Sequence, residues 1–318
     1  MRRIVALLVA VGLVIVAVVI RNGINSGGGS KLRLVCTPEL ASVCNGLGSN
    51  VDVTVEEPGT TADRLEKVGA GSLDGWLTPG PWNELVQQAR IRAGNPAPLS
   101  PSFILARSPI GLAVFPERLA TLATACGGQP GWKCLGDAAG KVNWSAIGGH
   151  PEWGDIKIGM PDPTQNATGL AALGAATIGY FGTADPTAID VQNDGFRKWL
   201  RNLATATKGV PPLDQILAAG ASVGDMAATI EAVGSPAVRT SARSPKPTLL
   251  YPAPVVSADV VLGSAGTDRG QELAHLVERR APALLVAAGW KSTDRRTAPS
   301  LLPGDLLDAL RAAWRDAS

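Results

Sequence analysis

The sequence predicts a mixed α/β fold behind a single N-terminal transmembrane helix. Short apolar runs rich in Val, Leu and Ile alternate with amphipathic stretches of helical period, as in chains that alternate strand and helix. Helix-start residues follow such runs directly: Thr37-Pro38-Glu39 comes straight after the apolar run 32–35. The first run of all, residues 4–20, carries no charge and is of spanning length, since a helix needs about 17–25 apolar residues to cross a hydrocarbon core.

Residues 1–21 are accordingly expected to be a signal anchor. Arg2 and Arg3 precede the run and only Arg21 follows it, which favours a cytoplasmic N-terminus. A cleaved secretory signal needs a small-x-small site, and Ile20-Arg21-Asn22-Gly23 offers a poor one. No cysteine sits just after the run to carry a lipid. Residues 22–30 include Ser26-Gly27-Gly28-Gly29-Ser30, a flexible tether. The expectation is a single-pass cell-membrane protein whose C-terminal part is extracytoplasmic, with the lipid bilayer as one partner.

Beyond the tether, about 300 residues suffice for one large or two medium domains. Setting aside Arg2, Arg3 and Arg21 from the 29 basic residues leaves 26 against 27 acidic ones. That balance, with no basic run, gives no footprint for nucleic acid. Four cysteines fall in two local pairs, Cys36 with Cys44 and Cys126 with Cys134. Outside the cytoplasm an even count reads as disulfides, and neither pair has zinc-finger spacing.

In chain order, 32–35 and 51–55 read as strands, the second followed by a helix over 61–70. A short strand at 73–77 runs into the turn residues Thr78-Pro79-Gly80-Pro81, with a helix over 82–89. Strand-like segments cover 103–106 and 110–115, and another covers 156–160. A polar loop follows, then a helix over 170–180. Further helices are expected over 194–205, 213–219 and 225–233. A strand pair over 248–251 and 255–261 precedes two closing helices, 269–287 with a kink or break at Pro282 and 304–316.

Nothing positive points to an enzyme. Gly-x-Ser-x-Gly, a Walker loop and a dinucleotide fingerprint are all missing, and His150 and His275 are the only histidines. Glu272, His275 and Glu278 share a helix face, which reads as a charged, solvated surface. No catalytic residue, metal or cofactor is expected. Trp76 and Trp82 flank the 78–81 turn, where they are placed to stack on a ligand or to fill the core. Trp132, Trp144 and Trp153 are candidates for a partner surface.

Several segments taken in order resemble the type 2 periplasmic solute-binding proteins, in particular their molybdate-binding-like branch. Residues 32–40 look like the first strand and ligand-facing turn, and Asp74-Gly75-Trp76-Leu77-Thr78 is similar to the second. Residues 106–114 resemble the first crossover between lobes. Ile158-Gly159-Met160-Pro161-Asp162-Pro163-Thr164 resembles the loop that opens the second lobe's share of the cleft. Residues 251–259 look like the return crossover, before C-terminal helices that pack on the first lobe. The resemblance implies a two-lobed type 2 periplasmic-binding-protein-like fold with two crossover strands. Residues 31–105 would form lobe one, 106–254 lobe two, and 255–318 would return to lobe one.

It also implies a ligand site. Thr37 and Thr78 from lobe one would face Asp162, Thr164, Asn166 and Thr168 from lobe two. Loops entering helix N-termini present free N–H groups and short hydroxyls, a cradle for a small polar solute. Individually, Thr37 and Thr168 also suit plain N-caps and Asp162 an Asp-Pro turn. Glu39 lies in the first turn of its helix, where a carboxylate competes with a bound oxyanion. The function expected is non-enzymatic solute binding or sensing. The alternative is a cell-envelope interaction or scaffold protein that keeps the fold without a ligand, its partners being other envelope proteins.

Overall fold

In the computed structural model of the protein, residues 31–183, 185–297 and 300–318 are described. The apolar run 4–20 and the tether lie outside them, and among the described residues no helix is long and apolar enough to cross a membrane.

The chain begins with β1 (Leu32–Cys36), a 3₁₀ turn at Pro38–Leu40 and the short α1 (Ala41–Asn45). There follow β2 (Val51–Val55), α2 (Pro58–Val68), β3 (Gly75–Pro79) and α3 (Trp82–Arg92). β1 lies parallel between β2 and β3. After the two-residue β4 (Ser100–Pro101) comes the long β5 (Ala106–Val114). The expectation of two segments, 103–106 and 110–115, is corrected to this one strand.

β5 changes partners halfway. Ala106 to Pro109 pair antiparallel with β9 (Ser257–Ser264), whereas Ile110 to Val114 pair antiparallel with β7 (Met226–Ile230). With β6 (Ile158–Gly159) parallel to β7, the sheet runs β2-β1-β3-β9-β5-β7-β6. One strand thus joins two halves of a continuous sheet. β8 (Thr248–Leu250) and β10 (Lys291–Ser292) both pair with β5. The strand pair expected over 248–251 and 255–261 does not form as such; each segment pairs instead with β5.

Two helices without a sequence expectation, α4 (Pro116–Ala125) and α5 (Trp132–Ala139), follow β5. Then come α6 (Ala167–Phe181), α7 (Asp194–Thr207), α8 (Leu213–Ala219), α9 (Glu231–Thr240), α10 (Asp268–Ala287) and α11 (Gly304–Ala317). The helix expected over 225–233 is instead β7 running into α9. All five β7 residues are buried between neighbouring strands, and five residues are too few to display a period of their own. α10 continues through Pro282 as a single helix.

α10 packs on β1, β3, β5 and β9, while α6 packs on β5 and β7. The last helix departs from expectation: α11 touches α3 beside the first half of the sheet and both α6 and α7 beside the second. Its Leu306, Leu307, Leu310 and Trp314 are buried there, and Leu307 with Leu301 lies against Gly174 of α6. α11 is therefore a strut across the two halves rather than a cover for one of them.

Both disulfides form as paired in the sequence, Cys36–Cys44 and Cys126–Cys134. The first ties the end of β1 to α1, and the second ties the end of α4 to α5. Trp132 and Trp144, offered as a partner surface, are buried, leaving only Trp153 partly exposed.

Candidate functional site

The turn after β1, the junction of β2 with α2, and the loop from β6 into α6 close on one crevice at the carboxyl ends of their strands. That is the place where open α/β sheets receive ligands. Each local shape follows from its sequence. Thr37 sits extended at the N-cap position with Pro38 behind it, and its backbone N–H donates to the Leu77 carbonyl at 3.3 Å. Pro58 opens α2, so the preceding Glu57 is held extended. Asn166 caps α6, its Oδ1 accepting from the Gly169 N–H at 3.1 Å. Gly169 is needed there because a Cβ would come within 2.2 Å of the Pro161 carbonyl oxygen.

Across this crevice the two halves of the molecule bond directly. The Thr168 N–H and Oγ1 both donate to Glu39 Oε1, at 3.2 and 2.9 Å. The Asn166 amide nitrogen donates to Glu57 Oε2 at 3.0 Å. The Gly59 N–H, in the first turn of α2, donates to the Gln165 carbonyl at 2.9 Å. A Cβ on Gly59 would meet Gln165 within 2.5 Å, so glycine permits the approach. Two helix N-termini, which in isolation offer free N–H groups to an anion, are thus engaged by the chain's own acceptors.

The sequence-predicted residues divide accordingly. Thr37 and Thr78 are 0 % exposed. Thr78 Oγ1 donates to the neighbouring Pro79 carbonyl at 3.2 Å, whereas Thr37 Oγ1 has no partner. Thr164 and Thr168 are buried, and Asn166 is partly so. Asp162 is exposed and organises its own loop, Oδ1 accepting from the Thr164 N–H at 2.8 Å. It lines a surface groove with Thr164, Lys208, Trp314 and Arg315. Glu57, Gln165 and Arg311 were not singled out by sequence. Arg311 of α11 is buried, donates from Nη2 to the Thr164 carbonyl at 2.9 Å and lies over the Trp82 ring at 5.0 Å. Only Glu57 left a legible signal, as the residue before a helix-opening proline.

The electrostatics of the crevice are acidic on the first-half side. Desolvation pushes the Glu57 carboxyl above its ordinary range; the Asn166 hydrogen bond draws it back, and the Glu39 charge pushes it up again. The distribution of unmatched groups is more telling. Among the described residues, the buried side-chain polar atoms without a hydrogen-bond partner belong to Thr37, Glu39, Trp76, Trp82, Asn83 and Arg311. All six sit on the turn after β1, on β3, at the start of α3, or on α11 packed over Trp82. Buried polar groups are matched almost everywhere in folded proteins, so these atoms keep bonding capacity in reserve; Thr37 and Glu39 do so at the crevice, whereas Asn83 lies against Gly263 and lines a separate pocket with Gly80, Phe103 and Arg295. Trp76 and Trp82 are fully buried and belong to the core wall of the site. No cluster of His, Cys, Asp or Glu suited to a metal ion occurs among the described residues.

No protein-family model matches the sequence, and no curated protein matches it. Solved structures do. The chain is similar to a periplasmic thiamin-binding protein, with a TM-score of 0.57 at 12% identity over 91% of this chain and 98% of that one. A putative spermidine/putrescine ABC transporter protein from Listeria monocytogenes gives 0.55 at 10% identity over 91% and 99%. The substrate-binding protein of an ABC transporter from Agrobacterium tumefaciens gives 0.54 at 11% identity over 92% and 96%. At such identities the likeness speaks to architecture. The chain has the mixed α/β fold of the periplasmic solute-binding proteins of ABC transporters.

Proposed function

We propose that the protein binds or senses a small polar solute in the crevice between the two halves of its sheet, and does so without catalysis. The observation that carries this reading is the pair of unmatched buried polar atoms on the turn that bounds the crevice, Thr37 Oγ1 and Glu39 Oε2. A solute that supplied their missing partners would recover what they lose by being desolvated, about 1–3 kcal/mol for each buried group left unsatisfied. Residues 31–105 with the chain from 255 onward act as one lobe and 106–254 as the other, joined at the partner switch in β5 and spanned by α11. Thr37 and Thr78 face Thr164, Asn166 and Thr168, with Asp162 shaping the loop. Residues 4–20 anchor the chain to the cell membrane, the N-terminus cytoplasmic and the binding domain outside.

An oxyanion of the molybdate class does not suit this crevice, because Glu39 occupies the N-terminus of α6, where the oxyanion would lie. The solutes named for the structural neighbours differ from one another, so they do not set the ligand here. Thermal unfolding of the full-length protein against a panel of small solutes tests the reading. A solute present at about a hundred times its Kd adds about 2.7 kcal/mol of stability. That gain should shrink in Thr37→Ala. A panel without any stabilising solute overturns the reading.

A second reading, a cell-envelope scaffold that keeps the fold without a ligand, is favoured by one observation. Glu39 and the Gln165 carbonyl already satisfy two helix N-termini, and α11 straps the halves together. Under that reading the closed form persists in solution and no solute changes it.

A further inference from the structure

The first half carries a second recess, apart from the crevice. A pocket of about 250 Å³ lies between the turn after β3, the segment from β4 into β5, strand β9 and the loop from β10 towards α11, and no residue of 106–254 lines it. Pro101, Phe103, Ile104, Val261 and Leu301 give it the apolar walls usual in sites for small molecules. Its polar groups are few and mostly unmatched. Asn83 is 7 % exposed, and neither its amide oxygen nor its amide nitrogen has a hydrogen-bond partner. It stands between β9 and the pocket: a Cβ on Gly263 would come within 2.2 Å of its Oδ1. Glu84 and Arg295 are exposed and form no ion pair among the described residues; the Arg295 guanidinium rests over the Phe103 ring at 4.4 Å. Asp259 is the exception, with one carboxylate oxygen accepting from Arg107 Nε at 3.0 Å and the other from the Ser300 N–H at 2.8 Å.

We propose that this pocket is a second binding site, for a small uncharged ring compound that bears an amide edge, either a carboxamide or a lactam. The ring fills the space between the apolar walls, beside Phe103. The amide edge carries an acceptor and a donor side by side, the two functions that Asn83 leaves unmatched. The rim selects against charge. A carboxylate would meet Glu84 and an ammonium would meet Arg295, whereas a neutral amide accepts from the guanidinium and donates to the carboxylate. A purely apolar ring would leave Asn83 desolvated and unbonded. The site is built from the first half alone, so it stands or falls separately from solute binding in the crevice.

Calorimetric titration of the full-length protein with benzamide and uracil, beside benzoate and benzylamine, tests both the site and the ligand class. At least one amide should bind. Benzoate and benzylamine, which match benzamide in size but carry a charge, should bind at least tenfold more weakly. Asn83→Leu, similar in volume, should weaken the amide at least tenfold. Arg295→Ala lies on an exposed loop; it should weaken the amide severalfold and serves as the second variant if Asn83→Leu does not fold, as checked by circular dichroism. Thr37→Ala should leave amide binding unchanged, which separates this pocket from the crevice. Binding of neither amide overturns the proposal, as does amide binding that is unchanged in a folded variant of Asn83 or Arg295. A charged ligand that binds as tightly as the amide overturns the ligand class. Amide binding lost in Thr37→Ala moves the ligand to the crevice and overturns the second site. None of these outcomes alters the thermal panel, which tests the crevice by itself.

Discussion

Asp225 and Glu39 are carboxylates at the two ends of the same molecule's polar architecture, and they are treated in opposite ways. Asp225, fully buried in the second half, accepts from Arg118 Nε at 2.7 Å, Trp144 Nε1 at 3.0 Å and the Lys157 N–H at 2.8 Å. Trp153 covers the Arg118 guanidinium at 3.6 Å, so the charge is matched and sealed. Glu39 has one oxygen matched and one bare, beside a second carboxylate and an unpartnered hydroxyl. A buried charge that serves the fold has its bonding capacity consumed by its neighbours. Glu39 keeps capacity in reserve at some cost in stability, which is what the solute-binding proposal requires of it.

The largest test of that contrast is Asp225→Ala. It strands the buried Arg118 charge together with the Trp144 and Lys157 N–H groups, and should cost about 3–5 kcal/mol in denaturant unfolding. An unchanged midpoint would show that this network is no more structural than the crevice and would break the comparison. A smaller effect, of opposite sign, is expected at Glu57. Its pKa is raised in the folded state, so the native form binds the extra proton between the unfolded and folded values, and stability falls as pH rises through that window. Glu57→Gln keeps an acceptor for Asn166 and should make the ligand-free protein slightly more stable at neutral pH, with a flatter pH profile above 4.5. A loss of stability at neutral pH would place Glu57 with Asp225 rather than with Glu39. A last test is Thr37→Val, which keeps the branched shape and removes a hydroxyl that bonds to nothing. The ligand-free protein should gain stability, by up to about 1–3 kcal/mol, and a clear destabilisation would reveal a partner for that hydroxyl in solution.

Legibility from sequence followed the same division. β2 and α8 occupy the residues expected of them, 51–55 and 213–219, and α11 differs from its expectation by a single residue. Apolar runs, prolines at helix starts and capping residues are local signals that need no knowledge of the rest of the chain. Among the site residues, those belonging to strand-end loops and helix starts were legible as types: Thr37 before Pro38, and Asn166 before α6. Their partners were not. Thr168 suggested a ligand hydroxyl and turns out to be bonded to Glu39, which lies 129 residues away.

The sequence by itself determined the alternation of strand and helix, the two disulfide pairings and the acidic residue in the turn after the first strand. Each of these depends on residues within a few positions of one another. Tertiary structure alone decided that residues 226–230 form a buried strand, that α11 spans both halves, and that Glu39 and Glu57 meet the α6 loop. Those outcomes depend on which desolvated groups find partners when distant segments are brought together. Hydrogen bonding and burial act through space, whereas periodicity and capping act along the chain.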